Sequence, residues 1–137
     1  MNRPLVMALA ITDTLFLTYW ALSALALIGA VHLPAAWMYE GYDQPQTVAW
    51  NWSFFPLDLA FSAPGLSAVQ KARHNDPMWR PLALISLVFT MTAGGMAVGY
   101  WTILKQFDPS WHLPNLALLI WPLFFLPKLL QDTARPH

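Results

Sequence analysis

Charge is nearly absent from four long stretches of this chain, and that property limits the folds open to it. The stretches run from about Pro4 to Leu33, Thr47 to Val69, Met78 to Leu104 and Leu113 to Leu130. Each is near the ~20 residues that cross a hydrocarbon layer of about 30 Å. Only 10% of the 137 residues are charged, against 57% hydrophobic, whereas a soluble domain carries roughly 25% charged residues. Too few charges remain to cover a water-soluble globule, and disorder requires far lower hydrophobicity. The expected fold class is therefore all-α: a polytopic membrane protein, one four-transmembrane-helix domain spanning residues 1–137.

The same composition excludes several functions. Seven basic and seven acidic residues balance to a net charge of +0, so no basic field exists for nucleic acid. Cysteine is absent, which removes disulfides, thiolate metal sites and thiol redox relays. His32, His74, His112 and His137 stand at edges, loops or the terminus, so no mid-membrane pair is available for haem. His32, Glu40, Asp43, Asp108 and His112 have no recognisable ligand spacing. No nucleotide loop, nucleophile elbow or zinc-hydrolase motif occurs. No metal and no cofactor is expected.

Orientation follows from the basic residues. Arg3, Lys71, Arg73, Arg80, Lys128 and Arg135 fall on one side of such a bundle and Lys105 alone on the other. The positive-inside rule then predicts cytoplasmic termini. Trp37, Tyr39, Tyr42 and Trp111 on the outer loops suit an interfacial aromatic belt. The first apolar run is longer than a signal-peptide core and is interrupted by Asp13, so a retained helix is expected. Asp76-Pro77 and Asp108-Pro109 have the form of helix starts, and Asp43-Gln44-Pro45 resembles them.

Two acids lie inside the predicted spans. Asp13 and Asp58 are roughly 14 and 18 Å from the cytoplasmic ends of oppositely directed helices, so their carboxyls could share one level. An ionisable group at a helix centre costs at least about 2.5–3.5 kcal/mol and is usually functional. No Lys, Arg or His lies at comparable depth. The expected resting state is a neutral or singly charged pair turned inward, able to hold a proton, a cation, or the amine or hydroxyl of a ligand. The plainer alternative is that each acid is neutral and bonds a backbone carbonyl.

The second span is the most specialised. Steps of seven align Asn51, Asp58 and Gly65, with Trp52 and Phe55 nearby, while Pro56 and Pro64 each remove a helical hydrogen bond. On the first span, Asp13 shares a face with Trp20, and Tyr19 adjoins it. Asp13, Asp58, Asn51, Trp52, Phe55, Tyr19 and Trp20 are thus the candidate ligand-binding residues, either walling an acidic pocket or simply filling space. Gly95 and Gly99 form a small-residue motif expected to be a helix-packing seam, within the chain or to a second copy or larger complex. Pro122 and Pro127 should bend the fourth span.

The run Asn51-Trp52-Ser53-Phe54-Phe55-Pro56-Leu57-Asp58, with Thr12-Asp13 and Tyr19-Trp20, resembles the YvaD-like small bacterial membrane proteins, which implies four helices and no assigned activity. Asp58-Leu59-Ala60-Phe61 followed by Pro64, Trp79-Arg80-Pro81 and Thr90-Met91-Thr92 are similar, more distantly, to the EXPERA group (emopamil-binding proteins and the sigma-2 receptor). That likeness implies a bundle binding sterols or amphiphilic amines in an acidic, aromatic cavity, with Asp58 as the residue carried over. In that group the helix-one acid lies toward the far end of its helix, unlike Asp13. An acid early in helix one is also similar to the small multidrug exporters, although those carry Glu there and have no counterpart of Asp58. The expected function is binding of a small apolar or amphiphilic molecule within the bilayer. Proton-coupled transport and a non-catalytic accessory role in a membrane complex are the alternatives.

Overall fold

The computed structural model describes residues 1–134; Arg135 and His137, included above, lie outside the described residues. Every regular element among them is helical: α1 (Arg3–Leu27), α2 (Pro45–Ser53), α3 (Phe55–Arg73), α4 (Trp79–Ile103), α5 (Pro109–Ile120) and α6 (Leu126–Ala134), with short 3₁₀ turns at Ala35–Trp37 and Trp121–Phe124. Three stretches are long and apolar enough to cross a membrane: Arg3–Leu27, Trp79–Ile103 and Pro109–Thr133. Their large apolar side chains point outward in number, Met7, Leu15, Met96 and Phe124 among them. Bare apolar surface on this scale requires a nonaqueous surrounding. The chain is a membrane protein.

The α2–α3 stretch is less apolar because of its position. α3 packs between α1 and α4, and α4 packs in turn against α5 and α6. A helix covered by protein on two sides can carry Asp58, Ser62 and Gly65 where a lipid-facing helix would carry leucine. By contrast, no Cα atom of α1 comes within 8 Å of one in α5. The two outer helices therefore leave a gap between them.

Helix ends depart from the expected boundaries for local reasons. α1 stops at Leu27, six residues early: Gly29 adopts φ +74° and the Ala30 N–H bonds the Leu25 carbonyl at 2.9 Å. The same left-handed closure ends α3 at Asn75 (φ +56°) and α4 at Lys105 (φ +56°). Asp108 caps α5, accepting from Ser110 N at 2.9 Å, and thereby starts it before Leu113. Asp76 accepts from Met78 N at 3.0 Å and from Lys71 Nζ at 2.7 Å, and these bonds hold its carboxyl below the usual aspartate range. Asp43 does not cap; Gln44 precedes α2 and makes no capping bond. Pro122 sits within the 3₁₀ turn and Pro127 in the first turn of α6, and there the last stretch departs from regular α-helix.

The interior has two unlike halves. Toward the chain termini, Leu5, Leu9, Ala68, Val69, Ala83, Leu87 and Leu129 make an aliphatic core. Toward the 28–44 and 104–108 loops, Trp20, Phe54, Phe61, Ala93 and Ala97 make an aromatic one, flanked by Phe16, Tyr19, Trp50, Trp52, Phe55 and Leu57.

Candidate functional site

The break between α2 and α3 builds the site. Phe54 N bonds Asn51 O at 3.1 Å in place of a full helical turn, and Pro56, with no N–H to satisfy, sits at the start of α3. A helix N-terminus is thereby created inside the hydrophobic stretch, with Asp58 in its first turn, where the positive end of the helix dipole lies. Asp58 is buried, and Trp20 of α1 donates its indole Nε1–H to Asp58 Oδ2 at 2.8 Å. Asp58 Oδ1 is buried without a hydrogen-bond partner.

Beside this carboxyl lies a cavity of about 330 Å³. α1 contributes Thr12, Leu15, Phe16, Tyr19 and Trp20 to its walls, and α5 contributes Trp111, Pro114, Asn115 and Leu118. Ala93, Ala97 and Trp101 of α4 form the back. Two small side chains there leave the space that larger ones would fill. The α1–α5 gap forms the front, where Leu15 lines the cavity and is still 63% exposed. At the loop end the ring of Tyr39 lies 6.0 Å from Trp111, which lies 6.5 Å from Tyr19. These three rings roof the cavity. Burial pushes the Tyr39 phenol up to about 12.

Four of the seven candidate ligand residues come together here: Asp58, Asn51, Tyr19 and Trp20 all line the cavity, and Tyr19 Oη donates to Asn51 Oδ1 at 2.9 Å. Trp52 and Phe55 do not line it. Their rings stand 5.1 Å from that of Trp20 and hold the indole toward Asp58. Asp13 is also elsewhere. It is fully buried against Gly65, where a Cβ would overlap its carboxylate. Because α1 and α3 run antiparallel, Asp13 faces Gly65 while Trp20 faces Asp58, and seven residues of helix put the two levels about 10 Å apart. The acids do not share one level, as their depths had suggested.

Within the chain, the Gly95/Gly99 face is not the packing seam. A Cβ on Gly99 would meet nothing within 4 Å, and one on Gly95 only Leu119 Cδ1 at 3.5 Å. The close approach is at Gly94, where a Cβ would stand 2.5 Å from Asn115 O and 2.7 Å from Leu119 N. Two expected belt residues also turn inward: Tyr39 is 6% exposed and Trp111 lines the cavity, whereas Trp37 is 69% exposed. The sequence reading missed Trp50, Phe54, Trp101 and the α5 wall. The aromatic richness of the loop-end segments was their one visible signal. Among the described residues, no three of His, Cys, Asp and Glu are placed to hold a metal.

Comparison with known proteins places the chain in a family. Residues 5–136 match the model described as "Family of unknown function (DUF5360)". The chain is similar to "Uncharacterized protein YvaD" of Bacillus subtilis (strain 168), with 42% identity over 125 residues that cover 91% of this chain and 90% of that protein. No solved structure matches. With nearly its whole length matched, the chain belongs to the DUF5360 family.

Proposed function

We propose that this is a four-span protein of the bacterial cytoplasmic membrane, with both termini cytoplasmic, that binds a small apolar or amphiphilic molecule in the α1–α5 cavity. The carrying observation is Asp58: one carboxylate oxygen is fixed by Trp20, and the other is buried, unpartnered and beside an aromatic space of about 330 Å³. A buried acceptor left unsatisfied costs about 1–3 kcal/mol, and a ligand hydroxyl or ammonium would repay it. Apolar walls take the remainder of the molecule, as in most small-molecule sites. The α1–α5 gap faces where lipid would lie, which favours a bilayer-dissolved ligand over an aqueous one. The likeness of the Asp58–Pro64 segment to the EXPERA group supports the same reading. Proton-coupled transport draws less support, since Asp13 stands off the cavity.

The test is binding of single-chain amphiphiles of equal length bearing an amine, a hydroxyl or a carboxylate, followed by thermal stabilisation of purified protein. Amine or hydroxyl forms should stabilise and the carboxylate should not. Asp58→Asn, which can still accept from Trp20, should weaken binding roughly tenfold to a hundredfold. Equal stabilisation of wild type and Asp58→Asn would overturn the proposal.

A further inference from the structure

A layer of buried polar groups lies between the aliphatic and aromatic halves, and the cavity does not use it. Asp13, Ser62 and Ser86 are each 0% exposed. Both carboxylate oxygens of Asp13 and the hydroxyls of Ser62 and Ser86 have no hydrogen-bond partner. They come from three helices, α1, α3 and α4, and Asp13 and Ser86 meet because Gly65 has no side chain. The point that a Gly65 Cβ would occupy is overlapped by Asp13 Oδ2 and lies 2.7 Å from Ser86 Oγ. Ser62 precedes Gly65 by one turn on the same helix face. Thr90, also buried, is excluded from the set, because its hydroxyl already donates to Ser86 O at 2.8 Å.

Four buried oxygens without partners call for one, since buried polar atoms in native proteins are otherwise paired. Asp13 Oδ2 and Ser86 Oγ both crowd the point where a Gly65 Cβ would stand and yet form no hydrogen bond, so one small species between them would satisfy both. The donor set consists of oxygen alone, which selects hard cations over zinc or copper. Charge then decides the valence. Lys71–Asp76, at the exposed turn, is the one ion pair among the described residues, so no basic side chain neutralises Asp13. One carboxylate balances a single positive charge; a divalent ion would leave a net charge buried in hydrocarbon.

The geometry points to a binding site for one dehydrated monovalent cation, Na⁺ in size, held by the Asp13 carboxylate and the Ser62 and Ser86 hydroxyls over Gly65. Ser62 stands between Gly65 and Asp58 on the α3 face, so the ion has a polar step toward the cavity. The site stands apart from the ligand reading, because none of its three side chains lines the cavity.

The test is thermal unfolding of the full-length protein in detergent, in NaCl, KCl or choline chloride at equal ionic strength and with no other addition. Saturating Na⁺ should raise Tm by about 5 °C over choline. Asp13→Asn should abolish the rise, Ser86→Ala should shift its midpoint to at least threefold higher Na⁺, and Asp58→Asn should leave it intact. Identical Tm in all three salts would mean that the layer holds only a proton or a water, and would overturn the site. A Na⁺ effect that survives in Asp13→Asn, or in full in Ser86→Ala, would overturn it equally. Should Asp13→Asn fail to fold, the wild-type salt series and Ser86→Ala still decide.

Discussion

Gly65 shows how one missing side chain can organise a polar layer. A methyl group there would overlap Asp13 Oδ2 and press on Ser86 Oγ, and the short aspartate chain has little room to retreat in a fully buried setting. Gly65→Ala should therefore destabilise by about 1–3 kcal/mol, the usual cost of overpacking, although alanine favours helix by up to about 1 kcal/mol elsewhere. Thermal unfolding checks the sign. Combined with Asp13→Ala, which removes the opposing carboxylate, the cost should fall below the sum of the two single changes, because the groups are in contact. Simple additivity would show that the two residues do not oppose each other. Sequence alone made Asp13 and Asp58 conspicuous, because charge in an apolar run is visible in one dimension. It could not register their partners: whether Asp13 meets Asp58 or Gly65 depends on the lateral register of α1 against α3, and a seven-residue slide separates the two answers.

The elements themselves were more legible than their contacts. Length and the scarcity of charge located the three stretches long and apolar enough to cross a membrane, Pro122 marked the bend in the last, and Asp108 marked a start. The break before α3 was less visible, since Pro56 signals a helix start as readily as a kink. Within the chain the close contact is not at the glycine motif, because small-xxx-small spacing identifies a smooth stripe without saying which way it faces. Gly94, one residue from that stripe and thus about 100° around the helix, is the position that α5 presses against. This yields a paired expectation. Gly94→Ala must push back main-chain atoms of α5, Asn115 O and Leu119 N, which cannot swing aside as a flexible side chain can. A loss of about 2–3 kcal/mol is expected. Gly99→Ala meets nothing and should be neutral or gain up to about 1 kcal/mol. Thermal unfolding of the two variants separates the packed glycine from the free one, and the reverse order would return the seam to the Gly95/Gly99 face.

Across the whole molecule, the aliphatic half resists unfolding and the aromatic half gives up packing to hold a space. Leu87 is fully buried in the aliphatic core, whereas Ala97 is buried in the other half and lines the cavity. Truncating the first and enlarging the second should therefore act in opposite ways. Leu87→Ala should cost about 2–5 kcal/mol through lost burial and a new void, and it should leave amphiphile affinity nearly unchanged, because the void opens away from the site. Ala97→Leu should change stability by less than about 1.5 kcal/mol, since the added atoms enter existing space, and it should abolish binding by occupying that space. Thermal unfolding and binding of the same single-chain probe, measured on both variants, supply the four values. Should Ala97→Leu bind the probe as wild type does, the ligand would lie outside the α1–α5 gap, and the small residues on α4 would need a different explanation.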